Sequence, residues 1–235
     1  MKKTFIILLF IITALSENVK AQVFLLDTFY LSATESIYGI YADINVSSSK
    51  LLYFDMEAPN DEQRVQVQLS INSDLNSFIS SLWDAKTKFE EWEKIAHSNS
   101  IKTMTKTIPV RFRDEILYFT QDEKWYHETG VDMMAEFYVN SLGQCHLIIK
   151  SDYMTSSELV SYSFSYGSSF ATLMGSNKWA WNGNMRGSKT YSEKYCGGAS
   201  LSFSSSKEIE TFVAKLNKVA KWKANNTEIV GYLFK

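Results

Sequence analysis

Cysteine and proline are scarce in this chain of 235 residues, which has two of each and only ten glycines. Two cysteines are too few for a disulfide-rich scaffold or a cysteine-based metal site. The chain is 45% hydrophobic and 14% aromatic, so its composition excludes disorder. Acidic and basic residues nearly balance, at a net charge of −2, and no field of one sign attracts nucleic acid. We therefore expect a folded globular protein that does not bind nucleic acid.

The longest hydrophobic run lies at the N-terminus. Lys2 and Lys3 precede an apolar run from Phe5 to Leu15, and a polar stretch follows that ends at Ala21. This order is typical of a secretory signal peptide. The apolar core is about 11 residues long, shorter than the roughly 20 that cross a bilayer as a helix. We predict cleavage after Ala21 and a soluble, extracytoplasmic mature protein, periplasmic or secreted, without a transmembrane segment.

Two stretches have the periodicity of amphipathic helices. Apolar residues recur at three- and four-residue steps over residues 74–96 and 206–222, which aligns them in one stripe on each helix. The predicted stripes contain Leu75, Phe78, Ile79, Leu82, Ala85, Phe89, Trp92 and Ile95 on the first helix, and Ile209, Phe212, Val213, Leu216, Val219 and Ala220 on the second. Asn72 or Ser73 would cap the first helix. Ser205 and Glu208 have the spacing of a capping box at the start of the second.

Elsewhere apolar and polar residues alternate with period two, which predicts strands with one buried face. The predicted strands are 23–31, 36–46, 51–56, 64–71, 103–112, 115–120, 135–140, 144–151, 160–166, 170–174, 200–204 and 228–234. Residues 140–143 lie between two of them and predict a hairpin turn, with Gly143 in a left-handed conformation. Many short strands and two helices predict an α+β fold, in which both helices pack on one face of a curled antiparallel sheet.

The two strand–helix segments also resemble each other. An offset of 134 residues superposes Val67 on Leu201 and Phe78 on Phe212. One interpretation is an internal two-fold repeat with halves of about 22–100 and 101–235 within a single α+β domain, 22–235. The alternative is that any strand followed by a helix gives a similar register. Both stay open on the sequence alone.

Cys145 and Cys196 also allow two interpretations. In an oxidising compartment they could join and close a loop of about 50 residues, which would stabilise the fold by about 4 kcal/mol. Alternatively, they are two buried thiols that behave as small hydrophobic side chains.

No catalytic motif is present in the sequence. It has no G-x-S-x-G elbow, no phosphate-binding glycine loop and no H-E-x-x-H, and it has three histidines. Three local groups of residues have types that occur in functional sites. Glu93 with His97 suggests a metal site, Cys145 with His146 suggests a thiol hydrolase, and the cluster Asp122, Glu123, His127 and Glu128 suggests acid/base chemistry. A surface pair on the helix is the more common reason for the first spacing, and a solvated loop has the same composition as the third group. Cys145 and His146 should point to opposite faces of a strand and cannot form a nucleophile–base pair with each other. We predict no catalytic residue, metal or cofactor.

Residues 177–198 form the most unusual segment. Trp179 and Trp181 stand two positions apart among amide, guanidinium and tyrosine side chains. Flat rings beside hydrogen-bond donors suit a surface that binds a glycan or a peptide. The binding residues that we predict are Trp179, Trp181, Asn182, Arg186, Tyr191 and Tyr195. Two alternatives are tryptophans that fill the core beneath a hairpin, and a contact between subunits.

Three classes of function follow. The sequence favours an exported, non-catalytic binding or interaction module for a peptide, a glycan or an envelope partner. The alternatives are an exported hydrolase of unfamiliar type and a structural or assembly component of the envelope. The oligomeric state is not predicted.

Overall fold

The computed structural model describes residues 23–43, 50–166 and 185–225. They form an α+β fold, as predicted. The strands are β1 (Val23–Leu31), β2 (Ser36–Asp43), β3 (Leu51–Met56), β4 (Val65–Ser70), β5 (Met104–Gln121), β6 (Lys124–Val139), β7 (Cys145–Ser151), β8 (Met154–Tyr166), β9 (Met185–Cys196) and β10 (Ser200–Phe203). The helices are α1 (Asp74–Ser98) and α2 (Ser206–Asn225). Neither is long and apolar enough to cross a membrane.

Eight of the described strands form one antiparallel sheet in the order β1-β2-β3-β4-β5-β6-β7-β10. The other two, β8 and β9, pair only with each other and form a separate hairpin. Glu57, directly after β3, and Ser200 of β10 exchange two backbone hydrogen bonds of 2.9 and 3.0 Å. Since β3 and β10 are not neighbours in the sheet, these bonds require the sheet to curl. The predicted curled, antiparallel sheet is confirmed.

Both helices pack on one face of this sheet. The ring of Phe54 in β3 lies 5.3 Å from that of Phe78 in α1 and 5.2 Å from that of Phe212 in α2. In β4, Val65, Val67 and Leu69 are buried and alternate with half-buried polar residues, as period two requires. The apolar faces of the strands therefore meet the apolar stripes of both helices in one core.

Helix α1 begins at the predicted residue and ends two residues later than predicted. Its buried stripe contains Leu75, Phe78, Leu82, Ala85, Phe89 and Ala96. Ile95 was predicted in this stripe and is 48% exposed, because the stripe rotates away from it in the last turn. The predicted side-chain cap is also wrong: Ser73 occupies the N-cap without a side-chain hydrogen bond, and Asp74 Oδ2 accepts the Ser70 N–H at 3.0 Å. The carboxylate ties the helix start to β4.

Helix α2 begins with the predicted cap in a modified form. Ser205 Oγ accepts the Glu208 N–H at 3.3 Å, as in a capping box. The Glu208 carboxylate reaches back one residue further and accepts the Ser204 N–H at 2.7 Å. The whole predicted stripe is buried, namely Ile209, Phe212, Val213, Leu216, Val219 and Ala220.

The long strands β5 and β6 differ most from prediction. Residues 103–112 and 115–120 belong to one strand, whose register with β6 shifts at Pro109 and on both sides of Glu115. Proline is accepted in a sheet at such bulges because it cannot donate to the ladder. Ile108 and Phe112 are buried before the irregularity at Glu115, and Leu117 and Phe119 after it, so the buried positions change from even to odd numbers. The period breaks there, and the sequence looks like two strands. Strand β6 starts at Lys124, whereas only 135–140 was predicted.

Two turns between strands are explained by residues with positive φ values and by local side-chain hydrogen bonds. The predicted hairpin turn at 140–143 is confirmed: Gly143 has φ +84° and Asn140 Oδ1 accepts the Leu142 and Gln144 N–H groups. Asp122 and Glu123 join β5 to β6 with φ values of 52° and 62°. Two positive φ values in a two-residue loop are typical of a type I′ turn. The predicted strands 170–174 and 228–234 lie outside the described residues.

The similar strand–helix segments correspond to β4–α1 and β10–α2. Four neighbouring strands, β1 to β4, precede α1, and four more, β5, β6, β7 and β10, precede α2. The hairpin β8–β9 is inserted in the second set. The common origin of the two halves stays a prediction.

Candidate functional site

The β8–β9 hairpin contains the described part of the segment for which we predicted binding. Arg186 and Tyr191 lie on β9, opposite Ser165 and Leu159 of β8. Tyr195 lies near the end of β9 and is 40% exposed. Trp179, Trp181 and Asn182 lie outside the described residues. The structure therefore assigns two predicted residues to the hairpin ladder and one, Tyr195, to its base.

The base of the hairpin is attached to the β5–β6 turn by polar contacts. Lys194 Nζ lies 2.8 Å from Asp122 Oδ2, and the Tyr195 N–H donates to Gln121 Oε1 at 2.9 Å. The Thr155 N–H donates to the Glu128 carboxylate at 2.5 Å. Because these contacts involve both strands and fix the backbone, they orient the hairpin relative to the sheet.

Apolar contacts complete this attachment. Met154 and Cys196 are opposite each other at the base, and each is at most 1% exposed. Directly beyond them the Ser151 N–H donates to the Ala199 carbonyl, and the Ala199 N–H donates to Ser151 Oγ, both at 2.9 Å. The hairpin thus leaves the main sheet at a closed, buried junction.

These contacts explain the acidic cluster in the sequence. Asp122 and Glu128, which we had weighed for acid/base chemistry, anchor the hairpin through Lys194 and Thr155. His127 is exposed and its ring lies 5.4 Å from that of Tyr118. Asp122 and Glu128, whose local sequence suggested a solvated loop or an acid/base pair, therefore belong to a structural junction. No local pattern predicts this junction, because the partners are 27 and 72 residues away.

An exposed aromatic pair lies beside the junction. The rings of Tyr153 and Tyr195 are 5.8 Å apart, and Tyr153 is 60% exposed. The Tyr195 hydroxyl donates to Glu193, and this hydrogen bond raises the pKa of Tyr195. Tyrosine rings with an exposed face supply contact area, and the bonded hydroxyl fixes one ring. Tyr153 was not predicted, since an isolated tyrosine in a turn carries no periodic signal.

A polar groove of about 550 Å³ runs between β6 and the hairpin base. Its lining residues are His127, Glu128, Thr129, Thr155, Ser156, Ser157 and Glu193. Glu128 and Glu193 already accept hydrogen bonds within the protein. In the part of the chain that is described, no three His, Cys, Asp or Glu side chains are grouped to hold a metal. The groove is suited to polar contacts with a ligand backbone.

The other residue pairs weighed in the sequence have structural positions. His97 Nε2 lies 3.9 Å from Glu93 Oε1 on the surface of α1. Cys145 is buried whereas His146 is half-buried, so the two neighbours point to opposite faces of β7 as predicted.

The two cysteines are free, buried thiols. Cys145 begins β7, and Cys196 lies near Gly198, whose backbone contacts Ser151 at the other end of β7. Seven residues of strand correspond to about 20 Å, too far for a disulfide. Burial raises the pKa of both thiols. The interpretation of Cys145 and Cys196 as two buried thiols is therefore confirmed, and the disulfide is not formed.

A half-buried carboxylate on the sheet face opposite the helices also has a structural role. Asp55 accepts hydrogen bonds from the Gly39 N–H at 2.8 Å, the Tyr41 hydroxyl at 2.8 Å and Gln66 Nε2 at 2.9 Å. Burial raises the pKa of Asp55, although these donors oppose the effect. The three donors come from β2 and β4, so Asp55 links three strands and both of its oxygens are occupied.

Comparison with protein-family models, curated proteins and solved structures gives no match for this chain. Function must therefore be argued from the hairpin, the surfaces and the side chains themselves.

Proposed function

We propose that this chain is an exported binding module that uses the β8–β9 hairpin to engage a peptide, a glycan or an envelope protein. The observation that carries the proposal is the hairpin itself. Its strands have 13 and 12 residues, pair with each other and stay outside the eight-stranded sheet.

The length of the hairpin supports a role in reaching a partner. At about 3.3 Å per residue, strand β8 extends roughly 40 Å. The hydrogen bonds described between the hairpin and the main sheet involve Thr155, Lys194 and Tyr195, all at the base. A rigid scaffold that fixes the base of a long connection is the usual way in which proteins present binding residues.

The side chains available along this element suit recognition. Strand β8 ends at Tyr166 and β9 begins at Met185, so Trp179, Trp181 and Asn182 belong to the connection between the strands. The exposed rings of Tyr153 and Tyr195 add aromatic surface at the base. Aromatic rings with nearby amide donors provide both contact area and direction for a sugar or a peptide.

Export is part of the same proposal. The first described strand begins at Val23, after the predicted cleavage site at Ala21, so removal of residues 1–21 would leave every described element intact. Expression with the native N-terminus in a bacterial host, followed by fractionation and N-terminal sequencing, tests it. We expect Gln22 as the first residue outside the cytosol. Recovery of cytosolic protein that still begins at Met1 would refute export.

The test of binding compares tryptophans in two places. The double variant Trp179→Ala/Trp181→Ala should bind isolated cell-wall glycan or an arrayed peptide library at least about tenfold more weakly, since aromatic anchors contribute about 1–2 kcal/mol or more each. Trp83→Ala, which removes a 38% exposed ring on α1, is the matched control and should bind normally. Both proteins should melt within a few degrees of the parent.

A second variant distinguishes binding from folding. An Asn-Gly turn that joins Ser157 to Glu193 removes the outer hairpin and keeps the contacts of Thr155 and Lys194 with the sheet. We expect this protein to fold and to lose binding. Loss of folding in both variants would assign the tryptophans to the core and contradict the proposal.

A further inference from the structure

Ser204 and His146 form a hydrogen-bonded pair away from the hairpin. Ser204 Oγ lies 3.2 Å from His146 Nδ1. The β7–β10 register pairs Phe203 with Leu147, and one further residue along it brings Ser204 opposite His146. Both side chains are half-buried, on the face opposite the buried Leu147 and Phe203. A hydroxyl within reach of an imidazole is the arrangement that activates a serine nucleophile.

The position of Ser204 in the fold suits this role. It stands between β10 and α2, at a strand-to-helix corner. Its backbone N–H is fixed by the carboxylate of Glu208, which also accepts the N–H and hydroxyl of Ser32 at 3.1 and 2.6 Å. The first N–H groups of a helix have no intrahelical acceptor, and those of Glu208 and Ile209 are bonded to Ser205. We therefore assign the N–H groups of Ser206 and Lys207 as the donors for a developing oxyanion.

We propose that Ser204 and His146 are the nucleophile and the general base of an esterase site. Burial lowers the pKa of His146, and the charge of Glu208 opposes part of this effect, so the ring is neutral at pH 7 and Nδ1 can accept the hydroxyl proton.

The reaction uses an ester and water. Ser204 Oγ bonds to the acyl carbon, its proton passes to His146 Nδ1, and the alcohol leaves with that proton. Water then gives its oxygen to the acyl carbon and a proton to His146, which returns it to Oγ as the acid leaves. The pair is half-buried on an open face of the sheet, so we assign small esters that can approach this face as the substrate class.

A fluorophosphonate probe tests the pair directly. In the full-length protein the probe should form an Oγ–P bond, lose fluoride and add one label, which peptide mapping by mass spectrometry should locate at Ser204. Ser204→Ala and His146→Gln should each slow labelling by about 100-fold or more. Ser202→Ala is the matched control, because Ser202 lies two residues earlier on the same face opposite Ile148, and should label at the normal rate.

Hydrolysis of p-nitrophenyl butyrate gives the second readout and should fall in the same two variants. Mapping in the unsubstituted protein does not depend on how any variant folds. A label located elsewhere, or no labelling above that of heat-denatured protein, would overturn the proposal.

Discussion

The buried carboxyl of Glu115 allows a direct test of how burial changes a pKa and, through it, the stability of the fold. Its side chain is 5% exposed at the bulge of β5, opposite Val131. Burial, reinforced by the negative charges of Asp74 and Asp114, raises the pKa of Glu115 to about 8. The carboxyl is therefore protonated in the folded protein at neutral pH, whereas it ionises near pH 4.5 when the chain unfolds.

The sign of the pH dependence follows from this difference. Below pH 4.5 both states hold the proton, and Glu115 has no effect on the pH dependence of stability. Between pH 4.5 and 8 only the unfolded state releases it, so the free energy of unfolding falls by up to about 1.4 kcal/mol per pH unit. Above pH 8 both states are ionised and the effect is constant. The whole interval gives an upper bound of about 5 kcal/mol, and water entry on ionisation should reduce it to about 2–4 kcal/mol.

Glu115→Gln replaces the protonated carboxyl by a neutral group of the same shape. Urea unfolding followed by tryptophan fluorescence between pH 4 and 9 should show equal stabilities at pH 4 and a variant more stable by about 2–4 kcal/mol at pH 9. Glu62→Gln, at an exposed position, is the control and should follow the parent at every pH. A stability difference between Glu115→Gln and the parent that does not change from pH 4 to 9 would refute a raised pKa.

Three further predictions concern single positions. Gly198 has φ +100° and an added Cβ would lie 2.9 Å from the Ser151 carbonyl oxygen, so Gly198→Ala should lower the free energy of unfolding in urea by about 2–4 kcal/mol. The control Gly130→Ala, at φ +72° with open space around it, should lower it by only about 1 kcal/mol. Equal losses in the two variants would contradict the close contact at Gly198. Burial alone would raise the pKa of Asp27, but hydrogen bonds from two lysines of α2 lower it to about 2. Asp27 therefore contributes stability above pH 3.8 that is lost as the pH falls through 2. After solvent screening, Asp27→Asn should lower the free energy of unfolding by about 1 kcal/mol at pH 7 and have no effect in acid. A loss of stability that is the same at every pH would contradict the lowered pKa of Asp27. Because both cysteines are free, a reducing agent should leave the melting temperature unchanged, and a drop of several degrees would reveal a disulfide.

The sequence could predict the elements that bury one regular face. In β4 and β10 the buried residues alternate without interruption, and in α2 every predicted stripe residue is buried. Such elements meet a single core, so hydrophobic period and structure agree. The turn at Gly143 could be predicted as well, because its φ of +84° is a local requirement that glycine satisfies.

Strand β9 could not be predicted. Its sequence, from Met185 to Cys196, has polar residues or glycine at most positions of both faces and so shows no period. Its partner β8 was predicted in part, because apolar residues alternate with serine over 160–166. The sequence of β5 and β6 fails to predict their full length for a different reason. Around Glu115 in β5 and Gly130 in β6 the buried positions change from even to odd numbers, so a single period does not extend over either strand.

Contacts that define the candidate sites depend on pairing that is remote in sequence. Ser204 meets His146 across 58 residues because β7 and β10 become neighbours once β8 and β9 leave the sheet. The junction that releases the hairpin, at Ser151 and Ala199, therefore also sets the register of β7 with β10. Shortening the hairpin beyond Ser157 and Glu193 keeps this junction, so it should leave the distance between Ser204 and His146 unchanged. Binding through the hairpin and chemistry at the β10–α2 corner would then be separable by mutation, because each depends on a different side of the same junction.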